Sequence, residues 1–246
     1  YNYVLHRHSW CTGGGRTTNG GGVHGYSNPF SVAADSTYVY VADYSNGRID
    51  RILATDGTYM GWLGRIATSP TDGESTCNGA GVGTYTPGWC IGGTAGTSSD
   101  ATGFSNPRAV YYDTGSTSLY TSDNSGRLIR LNPATGVFTG VTGGVSSGSG
   151  GGCTISGNVA SGWCTTTAIG VSTNNYGGIN QASAIASNTN YIFAIDTARH
   201  RVVRFEKATG SPAGFLAALT NATNVNVASA DFTVNSLTTT NGCQGI

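Results

Sequence analysis

Six cysteines, four histidines and a recurring Asp/Arg pair are the residues of this 246-residue chain whose types and spacing can do chemistry. Cys77 and Trp89-Cys90 form one local motif with the cysteines 13 residues apart, and Cys153 and Trp163-Cys164 form a second with a spacing of 11. The other two cysteines are the halves of the same motif: Ser9-Trp10-Cys11 near the start and Gly242-Cys243 near the end, which 14 residues would separate if the ends were joined. An even cysteine count in a weakly charged chain favours disulfides over free thiols. Zinc is the competing chemistry, but no Cys-x-x-Cys occurs and the histidines lie elsewhere. The expected bonds are Cys77–Cys90, Cys153–Cys164 and Cys11–Cys243, the last either within one chain or between neighbours. The two local staples are worth roughly 2–3 kcal/mol each by loop closure.

The histidines offer less. His6 and His8 would share one face of a strand and a metal there is conceivable, but exposed residues on a terminal strand is the simpler reading. His24 and His200 have no partner in sequence. Gly79-Ala-Gly81-Val-Gly83 has the look of a phosphate loop, yet it lies between two cysteines with no helix following. No Ser-His-Asp arrangement is suggested by the order of residues, although triads are spatial. The expectation is therefore no catalytic residue, no metal and no cofactor, and a chain that is not an enzyme.

What must position these residues is an all-β framework. Charged residues make up only 10% of the chain, whereas ordinary soluble domains carry about 25%. Ser, Thr, Asn and 39 Gly fill the space, a composition suited to turns and short strands. Net charge is +0, so nothing attracts nucleic acid or anionic lipid, and a neutral surface favours self-association. No apolar stretch approaches the roughly 20 residues of a membrane helix. Starting at Tyr1, with no initiator Met or signal-peptide pattern, the sequence reads as a processed product or a fragment.

Three segments repeat. Tyr38-Val-Tyr-Val-Ala-Asp43 is followed by Arg48-Ile-Asp-Arg51 and Ala54-Thr-Asp-Gly57. Leu119-Tyr-Thr-Ser-Asp123 is followed by Arg127-Leu-Ile-Arg130 and Ala134-Thr-Gly136, and Tyr191-Ile-Phe-Ala-Ile-Asp196 by Arg201-Val-Val-Arg204 and Ala208-Thr-Gly210. Each is led by a turn and a strand: Gly25-Tyr-Ser-Asn28-Pro29, Gly103-Phe-Ser-Asn106-Pro107, and a degenerate Gly178-Ile-Asn-Gln-Ala without Pro. A fourth apolar run follows each Gly turn, so every repeat predicts a four-stranded antiparallel meander. The repeats divide the single domain as 1–24 (end of the split Cys motif), 25–102, 103–177 and 178–246, the last with an expected extra hairpin at Asn224-Val-Asn-Val-Ala and Asp231-Phe-Thr-Val-Asn.

This order of turn, Pro, strand ending in Asp, Arg-x-x-Arg strand and Gly turn resembles the NHL repeat, in a long, disulfide-containing secreted variant. The resemblance implies β-propeller blades and mainly structural roles for Asp43, Asp123 and Asp196, which tie down a turn, and for Arg51, Arg130 and Arg204, which pack and pair between strands. Some NHL-type propellers resemble zinc-dependent amidating lyases, but no matching set of histidines is seen. Ordinary repeats of this kind run about 40 to 50 residues; here each carries an extra Gly-rich segment.

Three blades are too few for a closed ring of 4 to 8. Thin extra blades could complete a ring within a chain, two chains could close one, or copies could continue head-to-tail into a filament. The leading expectation is a structural subunit of an extracellular or cell-surface fibre whose partner is itself. A secreted module binding glycan or protein through residues such as Tyr85 and Trp89 is the alternative, and an NHL-type lyase or hydrolase the third. Asn221-Ala-Thr223 is the one N-glycosylation acceptor, and the Ser/Thr-rich loops invite O-linked sugars. Glycosylation predicts an intact mass above the 25.1 kDa of the bare polypeptide, read by mass spectrometry of native material.

Overall fold

Alternation along Tyr38–Asp43 sends Tyr40 and Ala42 into one apolar cluster and Val39 and Val41 toward another, as a strand covered on both faces requires. The computed structural model describes Trp10 and residues 25–74, 76–100, 103–171, 177–217, 236–237 and 240–241. The first blade contains β1 (Pro29–Ala34), β2 (Tyr38–Asp43), β3 (Arg48–Leu53) and β4 (Tyr59–Thr68), paired antiparallel in that order. Three short strands of its inserted segment, β5 (Asp72–Gly73), β6 (Cys90–Ile91) and β7 (Thr94–Gly96), extend it to seven strands.

The second blade repeats the plan with β8 (Pro107–Asp113), β9 (Ser118–Asp123), β10 (Arg127–Leu131) and β11 (Phe138–Ser149). Its additions are β12 (Thr154–Ser156), β13 (Val159–Cys164) and β14 (Thr166–Gly170). The third has β15 (Ala182–Ser187), β16 (Tyr191–Asp196), β17 (Arg201–Glu206) and β18 (Pro212–Ala217) as a four-stranded sheet. A last pair, β19 (Ser236–Leu237) and β20 (Thr240–Asn241), stands apart. The hairpin expected at 224–235 lies outside the described residues. The chain is thus all-β, built of propeller-like four-stranded blades, two of them extended by disulfide-stapled strands.

The cores lie between blades. Tyr40, Leu63 and Trp89 of blade 1 pack on Phe104, Val110 and Leu131 of blade 2, all 5% exposed or less. Tyr120, Leu128 and Trp163 of blade 2 pack on Ile179, Ile192 and Phe205 of blade 3. The innermost strand β8 touches both β1 and β15, so the three blades fan out with the second in the middle. Its residues are largely buried, whereas β1 leaves Phe30 and Val32 exposed.

The Gly turn after each third strand is where blades meet most closely. Gly210 sits at φ +78°, and a Cβ there would stand 2.7 Å from the Trp163 ring, so glycine serves both the left-handed backbone and the contact. Gly136 is its counterpart against Leu63, at φ +71°. Gly210→Ala is expected to lower the unfolding free energy by about 2–3 kcal/mol in urea titration, combining backbone strain with overpacking; a change below 0.5 kcal/mol would show that the blades are not pressed together there.

Candidate functional site

Each blade is pinned by one buried ion pair. Asp43 accepts the Ser27 N–H at 2.8 Å and the Arg48 guanidinium at 3.1 Å, and Arg48 donates to the Gly25 carbonyl at 2.9 Å. Asp123 accepts the Ser105 N–H and Arg127 Nε, each at 3.0 Å, and Arg127 reaches the Gly103 carbonyl at 2.9 Å. Asp196 accepts the Asn180 N–H and Arg201 Nε at 2.9 Å, and Arg201 donates to the Gly178 carbonyl. The second-to-third-strand hairpin is thereby tied to the turn that leads the blade. Asn28, Asn106 and Gln181 turn the chain there with φ of 56°, 54° and 58°, so the third copy makes the same turn without its Pro. His200, unassigned by sequence, occupies the left-handed position that Gly47 fills in blade 1.

The second arginine of each Arg-x-x-Arg does something else. Registers slip by one residue opposite Arg51, Arg130 and Arg204, leaving Met60, Thr139 and Ala213 as bulged residues. Each arginine donates to the carbonyl its bulge frees: Arg51 to Met60 at 3.4 Å, Arg130 to Thr139 at 3.0 Å, Arg204 to Ala213 at 3.1 Å. The guanidiniums also stack on rings, Arg51 on Tyr38 and Trp89, Arg130 on Trp163 and Arg204 on Tyr191. The guanidinium that pairs with Asp43, Asp123 and Asp196 is thus that of the first arginine, Arg48, Arg127 and Arg201. Sequence reading missed these three, although they recur four or five residues after the Asp as regularly as the second set.

The inserted motifs link blade to blade. Cys77–Cys90 and Cys153–Cys164 are disulfides. Cys90 pairs with Trp62 on β4 and Cys164 with Val141 on β11, so each stapled strand extends its own blade. The tryptophan beside it reaches the next blade: Trp89 Nε1 donates to the Pro133 carbonyl at 2.9 Å and Trp163 Nε1 to the Lys207 carbonyl at 3.0 Å, each 44 residues on. Trp10 Nε1 donates to the Ala54 carbonyl at 2.9 Å, again 44 residues on. The three acceptors stand at one position, three residues before Gly57, Gly136 and Gly210. The backbone agrees, with the Trp10 N–H on Asp56 at 3.1 Å and the Trp163 N–H on Thr209 at 2.8 Å. Trp89 and Trp163 are buried, whereas Trp10 is 57% exposed. Cys11, Cys243, Asn221, His6, His8 and His24 lie outside the described residues.

In blade 1 a second buried carboxylate shares the arginine of the pin. Asp50 faces Arg48 at 3.0 Å and accepts the Tyr59 hydroxyl at 2.6 Å, so two acids share one guanidinium. Burial pushes its carboxyl up to about 7, with the Asp43 charge adding to the effect. Among the described residues no three His, Cys, Asp or Glu converge on a metal-sized site, and no helix is long and apolar enough to cross a membrane.

No family model and no curated protein matches the chain. Among solved structures it is similar to a glutaminyl cyclase from Myxococcus xanthus (12% identity over 76% of this chain and 52% of that one, TM-score 0.37). It is also similar to a candidate 6-phosphogluconolactonase from Bacteroides uniformis (14% identity over 79% and 44%, TM-score 0.42) and to AztD from Citrobacter koseri (8% over 78% and 48%, TM-score 0.34). These are propeller-type folds, and the chain spans about half the length of each. Similarities this distant carry no activity across. They do correct the expectation of a chain that is not an enzyme, because enzymes stand among the propeller-type structures it resembles. The missing motif was no ground for that expectation, since catalytic groups on propellers are gathered in space and leave no local signature.

The Asp50 carboxyl sets a pH dependence. Its folded pKa of about 7 exceeds the unfolded value of about 3.9, so between these the folded state holds the extra proton and stability falls as pH rises. Melting temperature is expected to drop from pH 5 to pH 8, and Asp50→Asn to flatten that slope. An unchanged slope in the variant would assign the effect elsewhere.

Proposed function

We propose that the chain is an arc of NHL-type blades that assembles head-to-tail into an extracellular fibre or surface layer, each copy docking on the next as blade docks on blade within the chain. The observation that carries this reading is the Trp10 contact. At both interior junctions, a Trp-Cys strand extends one blade and its indole caps the Gly turn of the following blade. Trp10 caps the Gly turn of blade 1 in the same way. The strand edge that such a Trp-Cys strand would extend is β18, where Phe215 stands at the position of Trp62 and Val141, five residues after the turn glycine. Among the described residues β18 pairs only with β17.

Blades 1 and 3 flank blade 2 on opposite sides, which suits serial contact between the third blade of one copy and the first of another. A Cys11–Cys243 bond between copies would then staple the junction as Cys77–Cys90 and Cys153–Cys164 staple the interior. Disulfides favour an oxidising, extracellular compartment. The near-neutral, weakly charged surface offers little repulsion between copies.

The test uses subunits labelled with 14N and 15N, mixed and allowed to assemble. Peptides joining Cys11 to Cys243 are expected with mixed labels, together with a ladder on non-reducing gels and fibres in negative stain, all lost in Cys11→Ser. Joined peptides of uniform label only would mean closure within one chain and would end this reading.

A further inference from the structure

The two inter-blade junctions are built alike but are not equally satisfied. At the first, the Arg51 guanidinium lies between the Tyr38 and Trp89 rings and faces the Glu74 carboxylate at 3.6 Å. Close by, the Tyr40 hydroxyl donates to Asp35 at 2.7 Å. Both the cation and the phenol have an acid.

At the second junction one acid is gone and the other is engaged elsewhere. Glu74 stands three residues before Cys77, whereas Gly150-Gly151-Gly152 precede Cys153. Asp113 ends β8 as Asp35 follows β1, but Lys207 of blade 3 engages it at 2.9 Å and Ser187 at 2.8 Å. Hydrogen bonds from Ser116, Lys207 and Ser187 outweigh burial and hold its carboxyl down at about 2. Tyr120, the counterpart of Tyr40, has a buried hydroxyl that lies against the Arg130 guanidinium, with no carboxylate to accept from it among the described residues. Among the described residues no carboxylate pairs with Arg130 itself, whose charge is held by the Trp163 ring at 4.4 Å and by neutral Thr139.

Space opens at this junction. A cavity of about 480 Å³ is lined by Ser116, Tyr120, Arg130, Asn190 and Tyr191, with Glu206 and Lys207 at its side. A second, of about 560 Å³, shares Arg130 and Ala208 and runs along Gly151, Gly152 and Trp163. Lys207 is neutralised by Asp113, and the Glu206 carboxylate accepts the Thr209 hydroxyl at 2.8 Å while keeping its charge. Of the two lining cations, Arg130 is therefore the one with no carboxylate in ion-pair contact among the described residues.

We propose that this cavity between blades 2 and 3 binds a uronic acid residue of an acidic polysaccharide, its carboxylate taking on Arg130 the place that Glu74 takes on Arg51. A guanidinium grips a carboxylate through paired N–H donors, more strongly than any neutral acceptor. The hydroxyl and amide groups of Ser116, Thr189 and Asn190 suit a sugar's hydroxyls, and Tyr191, its ring backed by the Arg204 guanidinium at 4.3 Å, lines the same cavity. The volume fits one or two sugar rings and lies within the range of small-ligand sites, roughly 300–1,000 Å³. The site is independent of assembly between copies.

Calorimetry of the intact chain with oligogalacturonate and with its methyl ester tests it, because the ester removes only the charge. The acid is expected to bind at least tenfold more tightly than the ester, and Arg130→Gln to abolish the difference while leaving the melting temperature high enough to measure binding. Three results would each overturn the proposal: no saturable heat with the acid, equal affinity for acid and ester, or a tetraglutamate peptide binding as tightly as the sugar. The last would make this a site for acidic peptides.

Discussion

Burying an arginine beside an aspartate is costly unless every donor and lone pair finds a partner, and this chain does it three times in a sequence that has few charges to use. Arg48, Arg127 and Arg201 are 9% exposed or less, and Asp43, Asp123 and Asp196 are fully buried. Each pair closes the gap between a hairpin and the turn that leads its blade, through a backbone N–H on the carboxylate and a carbonyl on the guanidinium. With the hairpin held, the second arginine is aimed across the blade at the bulge, and the bulge gives the fourth strand its course toward the next Trp. Loss of the pin would free the turn, the bulge and the blade contact together.

The inserted segments are explained by the same geometry. A four-stranded blade exposes the outer edge of its fourth strand, and an open edge invites pairing with another chain. In blades 1 and 2 a strand stapled by a disulfide covers that edge, and its Trp carries the contact to the next blade. Thus an element that guards an edge also sets the spacing between blades. At Trp10 the same indole-to-turn hydrogen bond recurs on the outer face of blade 1, and the proposed assembly rests on that contact.

Differences between the copies are as informative as their agreement. Blade 1 carries Asp35, Asp50 and Glu74, which satisfy Tyr40, Arg48 and Arg51. Blade 2 has Ile129 where Asp50 stands and glycines before its first cysteine, and its Asp113 serves a lysine of blade 3. A repeat that keeps its cation and phenol but not their pairing with acids has exchanged an internal contact for an open polar cavity.

Much of this was legible in the residues alone. Asp, Arg-x-x-Arg and Gly at fixed steps mark hairpins, the period-two alternation of Tyr38–Asp43 marks a strand with two covered faces, and paired cysteines with a Trp mark local staples. These are short-range signals, set by steric preference and side-chain alternation, and they survive without knowledge of the neighbours. Which arginine meets the aspartate was not legible. Both lie on one strand, and only the register Asp43↔Arg48 and the one-residue slip at Arg51 assign one to the turn and the other to the bulge. Nor could sequence reveal that Trp10, Trp89 and Trp163 grip turns 44 residues away, or that no acid among the described residues pairs with Arg130, because both depend on how one blade lies against another. Local chemistry determined the blades; the packing of sheet on sheet decided what each charged group faces.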